Sequence, residues 1–230
     1  VTAIPRIAAV SAHNRQELLA DCIVSLASQC DRIVVIDNAS DPPLRVERQL
    51  HRNLVLMVRD PEQPPNLSRL WNRGLDLAHE IACHTCNSET PTYDVAVFGD
   101  DVIVPTGWWD RVSEAMRSLG AAMGATHGIA PLWQSILKTE PDADIMNRVP
   151  GWAWMLRGEV GLRLDERFKW WFGDTDLDWR ARQAGGMVIA PGEIAINRQP
   201  NHFTNALPEL GAQAGQDRFA FQDKWGWTPW

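Results

Sequence analysis

The chain has 230 residues, 45% of them hydrophobic, and its 29 acidic against 22 basic side chains give a net charge of −7. That length suits one large domain with a sizeable core, and the acidic balance without a dense lysine or arginine run makes nucleic acid an unlikely main partner. No apolar run approaches the roughly 18–20 residues of a membrane helix, and "VTAIPRIAAV" lacks a charged region followed by a long apolar core, so no membrane span and a soluble, unexported, cytoplasmic protein are expected.

In chain order, "RIAAV" reads as a short buried strand that runs into the polar loop "SAHNR". Leu18, Leu19, Cys22, Ile23, Leu26 and Ala27 then recur at helical spacing. "RIVVID", residues 32–37, is a β-branched strand followed by the turn residues "NASDPP", and "NLVLMV", residues 53–58, is a third strand. Leu67, Leu70, Trp71, Leu75 and Ala78 mark a second helix, and "DVAVF", residues 94–98, a fourth strand. Strands apolar on both faces that alternate with amphipathic helices predict an α/β fold, a parallel sheet covered by helices on both sides. Ligands of such sheets bind at the carboxyl ends of the strands. That rule selects one surface: Asn14 and Arg15, Asp37 and Asn38, and the turn Gly99-Asp100-Asp101.

After Asp101 the pattern loosens. Residues 108–119 read as a helix, "AAMGATHGIAPLW" as irregular, and "GWAWML", residues 151–156, as an alternating strand. "GDTDLDWRARQAGG" reads as a short helix with an acidic start and a glycine stop, and "MVIA" and "EIAIN" as short strands. The closing "DRFAFQDKWGWTPW" suits either a lid or an oligomer contact.

Four cysteines are present, and Cys83 and Cys86 form a C-x-x-C near His79 and His84. A zinc knuckle usually adds a second such pair, so structural or incidental thiols are the favoured reading. Adjacent carboxylates at a buried strand end, Asp100 and Asp101, repel unless neutralised. Two solutions are open: a divalent cation with hard oxygen ligands, or Asp101 facing the site while Asp100 caps a turn. Of Asp174, Asp176 and Asp178, the first is placed as a helix N-cap and the second in the first turn, where the macrodipole favours negative charge. An Asp174 that faces a cleft would instead stay ionised, as a general base must be. Twelve tryptophans are unusual; Trp108, Trp109, Trp152, Trp154, Trp170 and Trp171 gather around these motifs, as core or as flat walls for sugar rings.

The order of "IAAVSAHNRQELLADCIVSL", "RIVVIDNASDP", "NLSRLWNRGLDLA", "DVAVFGDDVIVPTGWWDRV" and "GWAWMLRGEVGLRLDERFKWWFGDTDLDWRARQAGG" resembles the family 2 glycosyltransferases, especially the rhamnosyltransferase-like branch, over residues 7–205. The resemblance implies a GT-A fold: a Rossmann-like, mostly parallel central sheet with helices on both faces and a mixed acceptor-side half. It implies one domain over residues 1–230, with a nucleotide-sugar half to about residue 101 and an acceptor-binding, catalytic half from about residue 102. Donor-binding residues carried over are Asn14, Arg15, Asp37, Asn38, Asn66, Asn72 and Asp100, with Ser40, Arg73 and Gly74 in the same loops. Asp101 matches the last acid of the family's D-x-D motif and implies Mn2+ or Mg2+, and His202 resembles a late histidine that reaches the metal or diphosphate, or is an ordinary histidine. Asp174 matches the second acid of a Glu-Asp pair, the proposed base, and Trp152 and Trp170 are candidates for stacking the acceptor.

The implied activity is inverting, metal-dependent transfer of a sugar from a nucleotide diphosphate, uridine diphosphate being the family's common carrier. The acceptor would be a hydroxyl of a glycan, lipid-linked saccharide or protein. Departures are Gly99 at the first D-x-D position, Gly173 in place of the Glu, and His13 where many members have tyrosine. They leave open a non-catalytic nucleotide-sugar or glycan-binding module derived from such an enzyme. A nucleotidyltransferase of related fold ranks last, because a glycine-rich phosphate loop after the first strand is missing.

Overall fold

The apolar runs expected to be strands pair side by side. In the computed structural model, which describes residues 3–46, 55–127, 133–141, 148–198 and 208–226, β1 (Arg6–Ala12), β2 (Arg32–Asn38), β3 (Val55–Asp60) and β4 (Asp94–Gly99) are parallel, in the order β3-β2-β1-β4. The helices that return the chain between them are α1 (Gln16–Leu26) and α2 (Leu67–Cys86). Asn66 caps α2 by accepting from the Arg69 N–H at 3.1 Å.

Beyond β4 the sheet becomes mixed. After the short β5 (Val102–Ile103) and helix α3 (Trp108–Leu119), the chain adds β6 (Met123–Thr126), β7 (Ile136–Lys138) and β8 (Ala153–Arg157). Helix α4 (Gly173–Gln183), β9 (Met187–Ala190), β10 (Ile196–Asn197) and helix α5 (Pro208–Trp225) follow. The full sheet runs β3-β2-β1-β4-β8-β6-β9-β7, with β8 antiparallel to both β4 and β6 and β7 antiparallel to β9. A separate β5-β10 ribbon sets Asn197 opposite Val102.

Strand alternation divides the core into two layers. Ala8, Val10, Ile33, Val35, Ala96 and Phe98 point to α1 and α3, where they meet Leu19, Cys22, Trp108 and Val112. Ile7, Ala9, Val34, Ile36, Val95 and Val97 point the other way, to Trp71, Leu75, Leu177 and Ala181 of α2 and α4. Helices therefore cover both faces, as the pattern predicted. Gly74 lets α2 settle on β1, because a Cβ there would lie 2.9 Å from the Ala9 Cβ. A third cluster, Phe168, Phe172, Trp179 and Phe221, docks α5 against the outside of α4. The segment expected as a lid or oligomer contact is thus largely a packed helix through Trp225, and residues 227–230 lie outside the described residues.

Two expectations need correction, and one lies partly outside the described residues. The stretch expected to be irregular contains β6, whose Met-Gly-Ala-Thr sequence carries almost no strand signal; it is a strand because β8 and β9 flank it. β8 starts at Ala153, not Gly151, and is buried on both faces because it is a central strand. The third strand is described only from Val55, its first two expected residues lying outside the described ones. Among the described residues no helix is long and apolar enough to cross a membrane.

Candidate active site

The parallel strands β1, β2 and β4 end on the same side, and antiparallel β8 begins there, tied by a 3.1 Å bond from the Gly99 N–H to the Trp152 carbonyl. A cavity of about 420 Å³ opens over these ends. Its lining includes Ser11 to His13, Arg15, Asn38 and Gly99 to Asp101 from the strand ends. The later part of the chain adds Arg148, Gly151, Trp152, the run Trp170 to Asp174 and Asn197 to the lining, and Ser68 and Trp71 of α2 also line it.

The question raised by adjacent Asp100 and Asp101 has a direct geometric answer. Both are buried, and Arg15 Nη1 donates to Asp100 Oδ1 and to Asp101 Oδ2, each at 3.0 Å. Burial pushes the Asp100 carboxyl up to about 6, with Arg15 opposing and Asp101 reinforcing the rise. Burial raises Asp101 as well, again against Arg15. Two hard carboxylate oxygens that converge on one cationic point are chemically of the type that suits Mg2+ or Mn2+. Among the described residues no third His, Cys, Asp or Glu joins them, and His202 lies outside the described residues. Gly99 fits tightly here: a Cβ would lie 2.9 Å from Asp101 Oδ1, so an acid at this position would displace the one beside it.

The second acidic cluster separates cleanly. Asp178 forms a fully buried pair with Arg182, at 2.8 Å, and Asp176 is held by Arg180, Lys224 and the Trp225 indole. Asp174 lines the cavity, and among the described residues no hydrogen bond or ion pair occupies its carboxylate. It is not the N-cap expected from sequence. Phe172 takes that place in a left-handed conformation (φ 64°), which sets Asp174 inside the first turn. Gly151 makes the room: a Cβ there would sit 2.6 Å from Asp174 Oδ2. Gly173 also has a steric reason, since a Cβ would lie 2.5 Å from Ser68 Oγ.

Several other candidates hold the scaffold and do not line the cavity. Asp37 is buried and accepts from the backbone N–H groups of Ser40 (3.1 Å) and Leu44 (3.2 Å), closing the loop after β2. Asn14 accepts from the Asp41 N–H, and its own N–H donates to Ser40 Oγ. Asn66 caps α2 and donates to the Glu166 carbonyl, while buried Asn72 clamps Leu164 from both its amide atoms. Arg73 is exposed. Asn38 does reach the cavity; its side chain donates to the Asp60 and Glu62 carbonyls, and its own carbonyl accepts from His13 Nδ1 at 2.6 Å.

Of the tryptophans, Trp108, Trp109 and Trp154 are core, whereas Trp152, Trp170 and Trp171 line the cavity. Trp152 is 37% exposed, with its indole N–H fixed on the Ala195 carbonyl at 3.0 Å, so the ring is presented in a set orientation. Sequence reasoning gave no site role to Ser11, Arg148, Gly151 or Asn197. Gly151 carried the only usable signal, a glycine directly before a strand next to a tryptophan.

No protein-family model matches the chain, and no curated protein matches it in sequence. Solved structures do match in shape. S. aureus TarS 1-349 superposes with a TM-score of 0.61 at 10% identity, over 97% of this chain and 74% of that one. The same protein in complex with UDP-GlcNAc gives 0.58 at 11% identity, over 98% and 74%. Glucosyl-3-phosphoglycerate synthase from Mycobacterium tuberculosis, in complex with Mn2+, UDP-Glc and phosphoglyceric acid, gives 0.59 at 13% identity, over 98% and 81%. With its eight-stranded, mostly parallel sheet covered by helices, the chain has the GT-A fold of these glycosyltransferases.

Proposed function

We propose that the protein is an inverting glycosyltransferase that moves a sugar from a nucleotide diphosphate, most simply uridine diphosphate, to an acceptor hydroxyl. The observation that carries this reading is Asp174: the one acid of its cluster left without a partner among the described residues, it lines the same cavity as the Arg15-bound carboxylates Asp100 and Asp101 at the strand ends. The motif order further favours the rhamnosyltransferase-like branch, and a nucleotide-sugar donor fits a cytoplasmic setting.

In this mechanism the donor's diphosphate lies by Arg15, Asp100 and Asp101, and Arg15 offers guanidinium N–H groups to its oxygens. Asp101 and Asp100 would hold a divalent cation, which when bound supplies positive charge against the departing diphosphate. Asp174 accepts the proton of the acceptor hydroxyl as that oxygen attacks the anomeric carbon from the opposite face. The reacting sugar passes through an oxocarbenium-like state. Trp152 and Trp170 offer apolar faces to the acceptor, and with Trp171 and Phe172 they keep water from the reacting carbon. The acceptor is a glycan, lipid-linked saccharide or protein hydroxyl.

Gly99 and Gly173, the departures that favour a non-catalytic binder, each fill a place where a side chain would collide. Packing thus gives each glycine a steric reason that is separate from any loss of activity. A panel of nucleotide diphosphate sugars with Mn2+ tests the reading: slow donor hydrolysis and a thermal shift requiring nucleotide are expected. Nucleotide binding without hydrolysis or transfer on any acceptor would leave the binding module instead.

A further inference from the structure

We infer that Asp217, on the C-terminal helix α5 and outside the cavity, is a positioning residue for the reaction; this rests on the function proposed above. It is 1% exposed, yet among the described residues no cation pairs with it. Its carboxylate is spent on the backbone of the segment before Asp174. Oδ2 accepts from the N–H groups of Trp170 and Trp171, both at 2.9 Å, and Oδ1 accepts from the Lys169 N–H at 3.2 Å and the Gln213 amide at 2.8 Å.

The other edge of the same segment is held by the start of α2. The Leu67 N–H donates to the Lys169 carbonyl at 2.7 Å, and Ser68 Oγ donates to the Phe168 carbonyl at 2.6 Å. Two helices distant in sequence therefore clamp four residues from opposite sides. Directly after the clamp come the left-handed Phe172, then Gly173 packed on Ser68, then Asp174. A left-handed non-glycine residue costs free energy and persists only when its surroundings impose it. Asp217 supplies that constraint from one side, and so fixes both the aromatic wall and the start of α4 that carries the base.

The chemistry requires two equivalent acceptors. Asparagine at this position would turn an NH2 group toward backbone N–H donors, leaving buried donors unsatisfied with almost no change of volume. Lys224 provides the matched control. It ties the same helix to Asp165 at 2.9 Å and to Asp176 at 2.7 Å, and among the described residues it forms no hydrogen bond or ion pair with residues 169–171.

The test compares Asp217→Asn and Lys224→Ala with the wild type. It measures melting temperature, uridine diphosphate affinity by calorimetry, hydrogen exchange at amides 169–171, and turnover on a panel of UDP-glucose, UDP-N-acetylglucosamine and dTDP-rhamnose with Mn2+. For Asp217→Asn we expect uridine diphosphate affinity within twofold, faster exchange at 169–171, and at least a tenfold loss of turnover; Lys224→Ala should lose stability but keep turnover within about threefold. Asp217→Asn turnover within twofold of the wild type, or an equal loss in both variants, overturns the positioning role. A wild type that turns over no nucleotide sugar overturns the proposed function, and this role with it.

Discussion

Residues 6–101 bring their polar groups to the cavity by strand register, whereas residues 148–198 bring theirs by contact between segments far apart in sequence. On the first side, β1, β2 and β4 are aligned so that Ser11 pairs with both Ile36 and Gly99, and Arg15, Asn38 and Asp101 fall just beyond that line. On the second side, Asp174 depends on Gly151 beneath it, on Phe172 in a left-handed conformation, and on α5 behind it. Register is a repeating property that tolerates change at single positions. Contact between distant segments is not, so single substitutions on the second side should cost more.

The largest stability loss is expected there. Arg182→Ala leaves Asp178 charged and fully buried, where burial already pushes its carboxyl up, and should cost about 3–5 kcal/mol in urea unfolding. A loss near zero would mean that the pair does not hold α4.

The two cavity glycines compare the sides directly. Gly151→Ala drives a methyl group against the Asp174 carboxylate, and a displacement of this proposed base by about 1 Å should lower turnover roughly tenfold to a hundredfold with nucleotide affinity unchanged. Gly99→Ala makes the corresponding contact with Asp101, and should weaken Mn2+-dependent nucleotide binding while saturated turnover falls less. The same response from both variants would erase the division of labour between the two sides.

The smallest effect is a pH dependence on the first side. The Asp100 carboxyl is raised from 3.8 to about 6, so its native state favours the protonated form. The resulting penalty is absent below about pH 4, grows between pH 4 and 6, and is complete above pH 6. A rise of that size is worth at most about 3 kcal/mol, and the lost bond to Arg15 offsets part of it. With EDTA present, Asp100→Asn should therefore stabilise the protein by about 1–2 kcal/mol at pH 7.5. The gain should shrink toward pH 4, whereas a gain that grows as pH falls would reverse the assignment.

The same contrast explains what the sequence made legible. The strands and helices before Asp101 were readable because burial on both strand faces and helical spacing leave long, regular signals. Arg15, Asn38, Asp100, Asp101 and Asp174, together with Trp152 and Trp170, line one cavity. Asp37, Asn66 and Asn72 bond to the scaffold instead, because polar side chains at strand ends and helix starts also serve to close loops and cap helices, and only the partner distinguishes the two uses. β6 was hidden because its four residues derive strand character from neighbours. Asp217 left no local signal of this role: the backbone N–H groups it accepts from stand 46–48 residues away.

The most direct test of the account is Asp174→Asn, with donor affinity and turnover measured on the same nucleotide sugar and Mn2+. The expected result is affinity within twofold of the wild type and a loss of turnover of about 10²–10⁴-fold, the range for removing a general base. Turnover retained within a few-fold would remove Asp174 as the base and contradict the account.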